Sequence, residues 1–433
     1  MAGEPPGGGI GRVVQREIYR RGAFGHRPRV PVLPDGLAQA ARRKMSAAAW
    51  SYVAGSAGQQ QTERANRLAF ERWGIVPRVL RDISTRDTAV ELFGERLPAP
   101  FLLAPIGALE MVHPDADLAV ARAAAALGLP MLISTQGSKP MERTAEALGN
   151  APRWFQLYWS TSDELVESFV RRAEAIRATA LVVTLDTQLL GWRTHDLDLG
   201  SLPFVRGQGI AQYTSDPVFM ELVRARLRGK PSPEPGPPPR PTPAAIATLA
   251  SVARTHPGPF MRNLRSPVPR AAVETFLDIF ARHSLTWDNL AWLRERTKLP
   301  IVLKGIQDPH DAQLAADHGV DGVIVSNHGG RQVDGAIGAL TVLPEIVELV
   351  GDRLTVLFDS GIRGGADVFK ALALGARAVG IGRPWVHGLA LDGSDGIVGV
   401  MRYLMAELDI TMALAGCARL DDIGPDLLRR EDC

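Results

Sequence analysis

A histidine and an arginine three residues apart, His328 and Arg331, lie in the stretch Ser326-Asn327-His328-Gly329-Gly330-Arg331-Gln332, directly after the apolar run Gly322-Val323-Ile324-Val325. An imidazole there can take a proton while a guanidinium holds a carboxylate through two parallel hydrogen bonds, so the pair suits a small acidic ligand. From this stretch alone, a helix N-terminus carrying ordinary surface polar residues reads equally well. The β-branched run predicts a buried strand, and the glycine-rich residues after it predict the loop at its carboxyl end, where α/β folds keep their chemistry.

The elements that must position these residues recur along the chain. Short apolar runs alternate with Ala/Leu/Arg-rich helical segments: Phe101–Ala104, Met131–Ser134, Trp154–Tyr158, Ala180–Asp186, Ile301–Lys304, Val323–Ser326, Leu354–Asp359 and Ala378–Gly382. Strand and helix in this rhythm imply parallel pairing, and eight repeats fit an α/β fold of the closed (β/α)8 TIM barrel type. The alternative, a doubly wound open sheet, would need an early phosphate loop, and no G-x-G-x-x-G follows the first strands. Most runs end on a polar residue: Ser134, Gln156, Tyr158, Thr184, Asp186, Lys304, Ser326 and Asp359. Charges are expensive to bury unless paired, so their shared position at the strand ends predicts an active site.

Residues 1–36 read as a flexible N-terminal segment, with helical spacing from Leu37 to Val53, and residues 37–433 as the barrel. Between Asp186 and Ile301 lies more chain than one loop and helix require. Residues 187–285 are therefore predicted to be a lid or insertion, partly disordered where Pro231 to Pro243 crowd together. Its first residues, Gly191-Trp192-Arg193, bring Arg193 within reach of the barrel mouth.

Two Gly/Arg clusters, Asp359-Ser360-Gly361-Ile362-Arg363 and Gly380-Ile381-Gly382-Arg383, fall in the loops after the seventh and eighth strands, where barrels commonly bind phosphate. A phosphorylated cofactor there would bring its reactive ring to Lys304 and His328. Lysine at a strand end suits charge stabilisation beside a reduced flavin, or a Schiff base in an aldolase-type barrel. No metal motif and no serine nucleophile elbow appears.

The bulk composition narrows the partners. With 49 Lys and Arg against 47 Asp and Glu, nothing marks the 433-residue chain for nucleic acid or an anionic membrane. Two cysteines suit a reducing, cytoplasmic setting, and neither a signal peptide nor the ~20 apolar residues of a membrane helix is evident.

The motif around His328, together with Leu357-Phe358-Asp359-Ser360-Gly361-Ile362-Arg363, resembles the FMN-dependent α-hydroxy-acid-oxidising family from about Tyr52 to Gly416. The resemblance implies His328 as base with Asp186 pairing its imidazolium. Arg193 and Arg331 would clamp the substrate carboxylate, with Tyr52 and Tyr158 on substrate oxygens. Lys304 would face the flavin N1/O2 edge. Pro105, Ile106, Gly107, Ser134, Gln156, Thr184 and Ser326 would border the flavin and its ribityl chain, and Asp359, Gly361, Arg363, Gly382 and Arg383 would hold ribityl and phosphate. It implies FMN as cofactor, a small 2-hydroxy acid and O2 as reactants, and a homo-oligomer, tetramer or octamer. Gly107, where many relatives have alanine near flavin N5, and the long segment after strand four lean towards lactate 2-monooxygenase within the family. Gln136 stands where many relatives carry an aromatic residue near the substrate, and Gln188 follows Asp186-Thr187 where proline is common.

Overall fold

A computed structural model describes residues 9–229 and 242–431. Eight parallel strands close into a barrel: β1 (Phe101–Leu103), β2 (Met131–Ser134), β3 (Arg153–Leu157), β4 (Leu181–Thr184), β5 (Ile301–Ile306), β6 (Gly322–Val325), β7 (Thr355–Phe358) and β8 (Val379–Ile381). The ring shuts where Val379 to Ile381 pair with Phe101 to Leu103. Each predicted run contains one of these strands, to within a residue or two at its ends.

Strand geometry explains where the polar residues point. Side chains alternate between faces, and a closed parallel sheet buries both. Leu102, Leu132, Trp154, Val182, Val302, Ile324, Leu357 and Ala378 form one apolar cluster inside the barrel. Two residues further along each chain stand Ala104, Ser134, Gln156, Thr184, Lys304, Ser326, Asp359 and Gly380. Period two therefore delivers a ring of small and polar residues to the carboxyl-end layer. A hairpin, Val90–Leu92 with Glu95–Leu97, joins the interior cluster and closes the other end, with Phe93 edge-on to Trp154 at 5.4 Å.

The N-terminal expectation needs correction for the described part of residues 1–36. Ile10–Gly22 forms helix α1, and a second helix, α2, begins at Pro34 and runs to Lys44. Val14 of α1 is buried, and the backbone N–H of Gly11 donates to Asp409 Oδ2 at 2.9 Å on the long helix Arg383–Ala415. A bidentate ion pair from Arg86 holds the same buried carboxylate. The arginine-rich outer face of α1 hid this contact from sequence reading. The expected single helix from Leu37 to Val53 is two: after extended Met45, Ser46 caps α3 (Ala47–Ala54) by accepting from the Ala49 N–H at 3.2 Å. Helix α4 (Gln61–Glu71) follows.

The described part of 187–285 is a packed helical layer beside the barrel mouth. Phe204, Tyr213, Phe219 and Phe276 are all buried and meet one another edge-on or tilted at 4.8 to 5.4 Å. Asp216, fully buried, caps helix Pro217–Arg228 and accepts from Ser168 Oγ at 2.7 Å and Arg172 at 3.1 Å, tying the layer to helix Asp163–Ala175. Aromatic residues spaced widely in sequence supply this core, so local periodicity did not show it. Most of the proline-rich tract, residues 231–241, lies outside the described residues; Pro243 opens helix Pro243–Thr255.

Candidate active site

A cleft with about 1050 Å³ of open space lies at the carboxyl ends of the strands. It is lined by Tyr52, Tyr158, Arg193, Lys304, His328 and Arg331 and by Gly361, Arg363, Gly382 and Arg383, with Arg331 and Arg383 both donating to the Gly55 carbonyl. Pro105, Ile106 and Gly107 border it after β1, and Ser134 and Asp359 form part of its base. Gln156, Thr184 and Ser326 sit beneath rather than on the surface. Ser134 Oγ donates to Gln156 Oε1 at 2.9 Å, and Gln156 Nε2 donates to Thr184 Oγ1 at 2.9 Å. Lys304 Nζ donates to Ser326 Oγ at 2.8 Å. Asp186 stands behind His328.

The loop after β6 holds His328 in the left-handed region, φ 58°, a conformation that costs about 1–3 kcal/mol and persists where surroundings impose it. Its N–H donates to Ser326 Oγ at 3.0 Å, and a reciprocal amide pair between Asn327 and Asn66 of α4, 2.7 and 2.8 Å, fixes the neighbouring residue. Ser360, itself at φ 88°, accepts from the N–H groups of Asn327 and Gly329 at 3.3 and 3.0 Å, joining the β7 loop to the histidine loop. Ser360 belongs to the motif after β7, which by itself assigns it no role.

His328 Nδ1 meets Asp186 Oδ1 at 2.8 Å, which assigns the proton to Nδ1 and leaves Nε2 as the acceptor. Burial lowers the His328 pKa, with Lys304 and Arg193 acting the same way against Asp186, so the imidazole is neutral and able to take a proton. Burial would raise Asp186, but His328, Lys304 and the Thr187 hydroxyl hold it down at about 2. Burial likewise pulls on Lys304, and Asp359 at 3.2 Å and Asp186 at 3.9 Å overcome it, raising the ammonium above its usual value. Gly305 makes the close approach possible. It sits in a bulge of β5 at φ 106°, where a Cβ would meet the Asp186 Cβ at 2.7 Å.

Four arginines line the cleft with little anionic compensation. Burial, with Arg193 and Arg383 nearby, lowers Arg331 to about 9; it remains protonated, donates to the Gly55 carbonyl at 2.7 Å and lies 5.2 Å over the Tyr52 ring. Arg193 donates to Gln332 Oε1 at 3.0 Å. Burial and Arg383 lower Arg363 to about 10, and its carboxylate neighbour Glu63 is 3.7 Å away, as it is 3.8 Å from Arg383. A cationic end beside the glycines of two loops fits a phosphate dianion, and Lys304 on the floor fits a ring that gains negative charge. The residues present thus fit a flavin mononucleotide.

Gln136 lines the cleft, as do Thr187 and, from the helical layer, Leu190, Phe204 and Phe280, whose place there the sequence did not show. Gly107 also differs from expectation. A Cβ there would meet Gln136 Cβ at 2.7 Å and its carbonyl oxygen at 2.9 Å, so the packing of Gln136 already requires the glycine. Beside this loop, Glu110 accepts from Ser138 Oγ and from the Gly209 N–H at 2.8 Å, fastening the helical layer to the β1 loop.

Comparisons with known proteins agree with this geometry. The family described as FMN-dependent dehydrogenase matches residues 41–430. The chain is 41% identical to the FMN-dependent alpha-hydroxy acid dehydrogenase qulF of Penicillium citrinum, over 96% of this chain and 95% of that protein. It is 40% identical to an L-lactate oxidase of Lysinibacillus sphaericus, over 93% and 94% respectively. A crystal structure of mandelate oxidase with (S)-4-hydroxymandelic acid superposes with a TM-score of 0.75 at 33% identity, covering 93% of this chain and 99% of that one. The chain belongs to the FMN-dependent dehydrogenase family and is an FMN-dependent α-hydroxy-acid oxidoreductase.

Proposed function

We propose that the protein oxidises a small L-2-hydroxy acid with O2 as acceptor, in the manner of lactate 2-monooxygenase: lactate and O2 to acetate, CO2 and water. The observation that carries the reading is the convergence of the His328–Asp186 pair, Lys304, Arg193 and Arg331 on one cleft that the two Gly/Arg loops also line. FMN supplies the two-electron acceptor. Arg331 and Arg193 bind the substrate carboxylate, and the Tyr52 and Tyr158 hydroxyls hold its remaining oxygens. Burial raises both phenols, so they stay protonated and act as donors. His328 Nε2 takes the proton released as the acid is oxidised, and Asp186 stabilises the imidazolium. Lys304 sets a fixed positive charge beneath the site. Ser134, Gln156, Thr184 and Ser326 orient the ring and ribityl side, while Asp359, Gly361, Arg363, Gly382 and Arg383 bind ribityl and phosphate.

The monooxygenase outcome is favoured by the apolar lining that Leu190, Phe204 and Phe280 of the helical layer contribute to the cleft, since slow release keeps the keto acid beside the oxygen-derived oxidant. Purified yellow protein mixed anaerobically with L-lactate is expected to bleach. After aerobic turnover, acetate and CO2 are expected in place of pyruvate and hydrogen peroxide. No bleaching with any 2-hydroxy acid refutes the reading; stoichiometric peroxide refutes the monooxygenase part.

A further inference from the structure

Helix α1 has two unlike sides. Gly11 and Val14 are buried and Ile18 is half-buried, whereas Arg12, Arg16 and Arg20, spaced by four, stand exposed on the outer face. Arg21 and Arg27 are exposed as well. None of these five arginines forms an ion pair among the described residues: Glu17, the helix's only carboxylate, is held by Arg402 at 2.9 Å. From Ile10 to Lys44 nine arginines and lysines, all exposed, face two carboxylates, Glu17 and Asp35. The near balance of charge over the whole chain conceals this local excess. Like charges four residues apart repel one another along a helix, and an anionic surface relieves that repulsion.

Apolar groups stand beside these charges. Tyr19 is 72% exposed and Phe24 77%. A groove with about 1450 Å³ of open space is lined by Val14 and Ile18 of α1, Leu37 of α2, and Val400 and Leu404 of the long helix, with the charged residues Glu63, Arg67, Arg363 and Glu407. A row of guanidinium groups alone would suit any polyanion. Exposed aromatic rings and a largely apolar groove next to that row favour a polyanion with hydrocarbon beneath its phosphates. A bilayer leaflet has this layering, and aromatic rings settle at its headgroup level. Nucleic acid presents phosphates without the hydrocarbon.

We infer that the outer face of α1 and the turn after it dock the protein on anionic phospholipid membranes, with the arginines on lipid phosphates and Tyr19 and Phe24 among the headgroups. No helix among the described residues is long and apolar enough to cross a bilayer, so the contact is with the membrane surface. The inference stands apart from the reading of the cleft, because none of these residues lines it.

The test is cosedimentation of the full-length, FMN-loaded protein with vesicles of equal parts phosphatidylglycerol and phosphatidylcholine, against vesicles of phosphatidylcholine alone. At about 0.1 M salt the partition coefficient is expected to be about 100-fold or more higher on the anionic vesicles. Raising salt to about 1 M, where screening shortens to about 3 Å, is expected to lower it at least 10-fold. Each arginine near an anionic leaflet multiplies binding by about fivefold, so the combined Arg12→Gln, Arg16→Gln and Arg20→Gln variant is expected to bind about 100-fold more weakly. The matching Arg→Lys variant keeps the charge and is expected to bind within about threefold of wild type. Tyr19→Ser with Phe24→Ser is expected to lower binding about 10-fold. Flavin bleaching by L-lactate is expected to be the same in every variant, which reports intact folding. Equal binding to both vesicle types, binding insensitive to salt, or a glutamine variant within about threefold of wild type overturns the inference. So does release from anionic vesicles by an equimolar DNA duplex, which would assign the arginines to nucleic acid. Should the glutamine variant fail to fold, the lipid and salt comparisons on the wild type still decide.

Discussion

Replacing Asp186 by asparagine tests the acid–base argument most directly. In the wild type, Asp186 Oδ1 accepts from His328 Nδ1 at 2.8 Å, which fixes the tautomer and supplies the counter-charge for the imidazolium. Asparagine removes the charge, and its amide can donate to Nδ1, turning the protonated nitrogen towards the substrate. Losing one charge-assisted hydrogen bond is worth about 1.5–3 kcal/mol, roughly 10- to 150-fold. Losing the correctly protonated base as well brings the expected fall to about 100- to 10,000-fold. The quantity to measure is the anaerobic rate of flavin bleaching at saturating substrate, normalised to bound FMN. The pH profile carries a second sign. His328 is already lowered by burial, Lys304 and Arg193, and Asp186 is the group that opposes them. Without it the imidazole becomes neutral at lower pH, so the acid limb of the residual rate should move down. A fall of less than about threefold with FMN retained, or an acid limb displaced upwards, would refute the reasoning.

Other expectations follow from the same geometry. Arg331→Lys loses the planar fork and its stacking on Tyr52, and kcat/KM for 2-hydroxy acids should drop about 10- to 150-fold, mostly in KM, while bound FMN is retained. Gly305→Ala places a Cβ 2.7 Å from the Asp186 Cβ at a backbone φ of 106°, and denaturant titration should show a loss of about 1–3 kcal/mol together with slower flavin bleaching. Burial, with Asp117 adding to it, raises Glu110 to about 7 from 4.5, so the folded state binds the proton more tightly and its stability falls as pH rises between those values, by up to about 3 kcal/mol. Glu110→Gln removes that slope, and its melting temperature relative to wild type should climb from pH 4.5 to 7; a difference that stays flat would show that Glu110 is ionised throughout.

Much of this protein was legible in the chain because two of its determinants are local. Apolar runs of four to seven residues alternating with helical segments specify parallel strands, and the barrel follows from their number. Period two then decides that Lys304 and Asp359 face inward, since each stands two residues beyond an interior position, Val302 and Leu357. Motif chemistry likewise assigns His328, Arg331 and the Gly/Arg loops to one mouth. What sequence could not decide depended on residues far apart in the chain. Helix α1 is held by a carboxylate at position 409, and the layer after β4 is organised by aromatic side chains from Phe204 to Phe280 that have no local period. Gly107 looked like a matter of room beside a ring, yet its neighbour across the loop, Gln136, already excludes a larger residue. Strand order and facing are set by nearest neighbours, whereas satisfaction of a buried polar group depends on every element that closes around it.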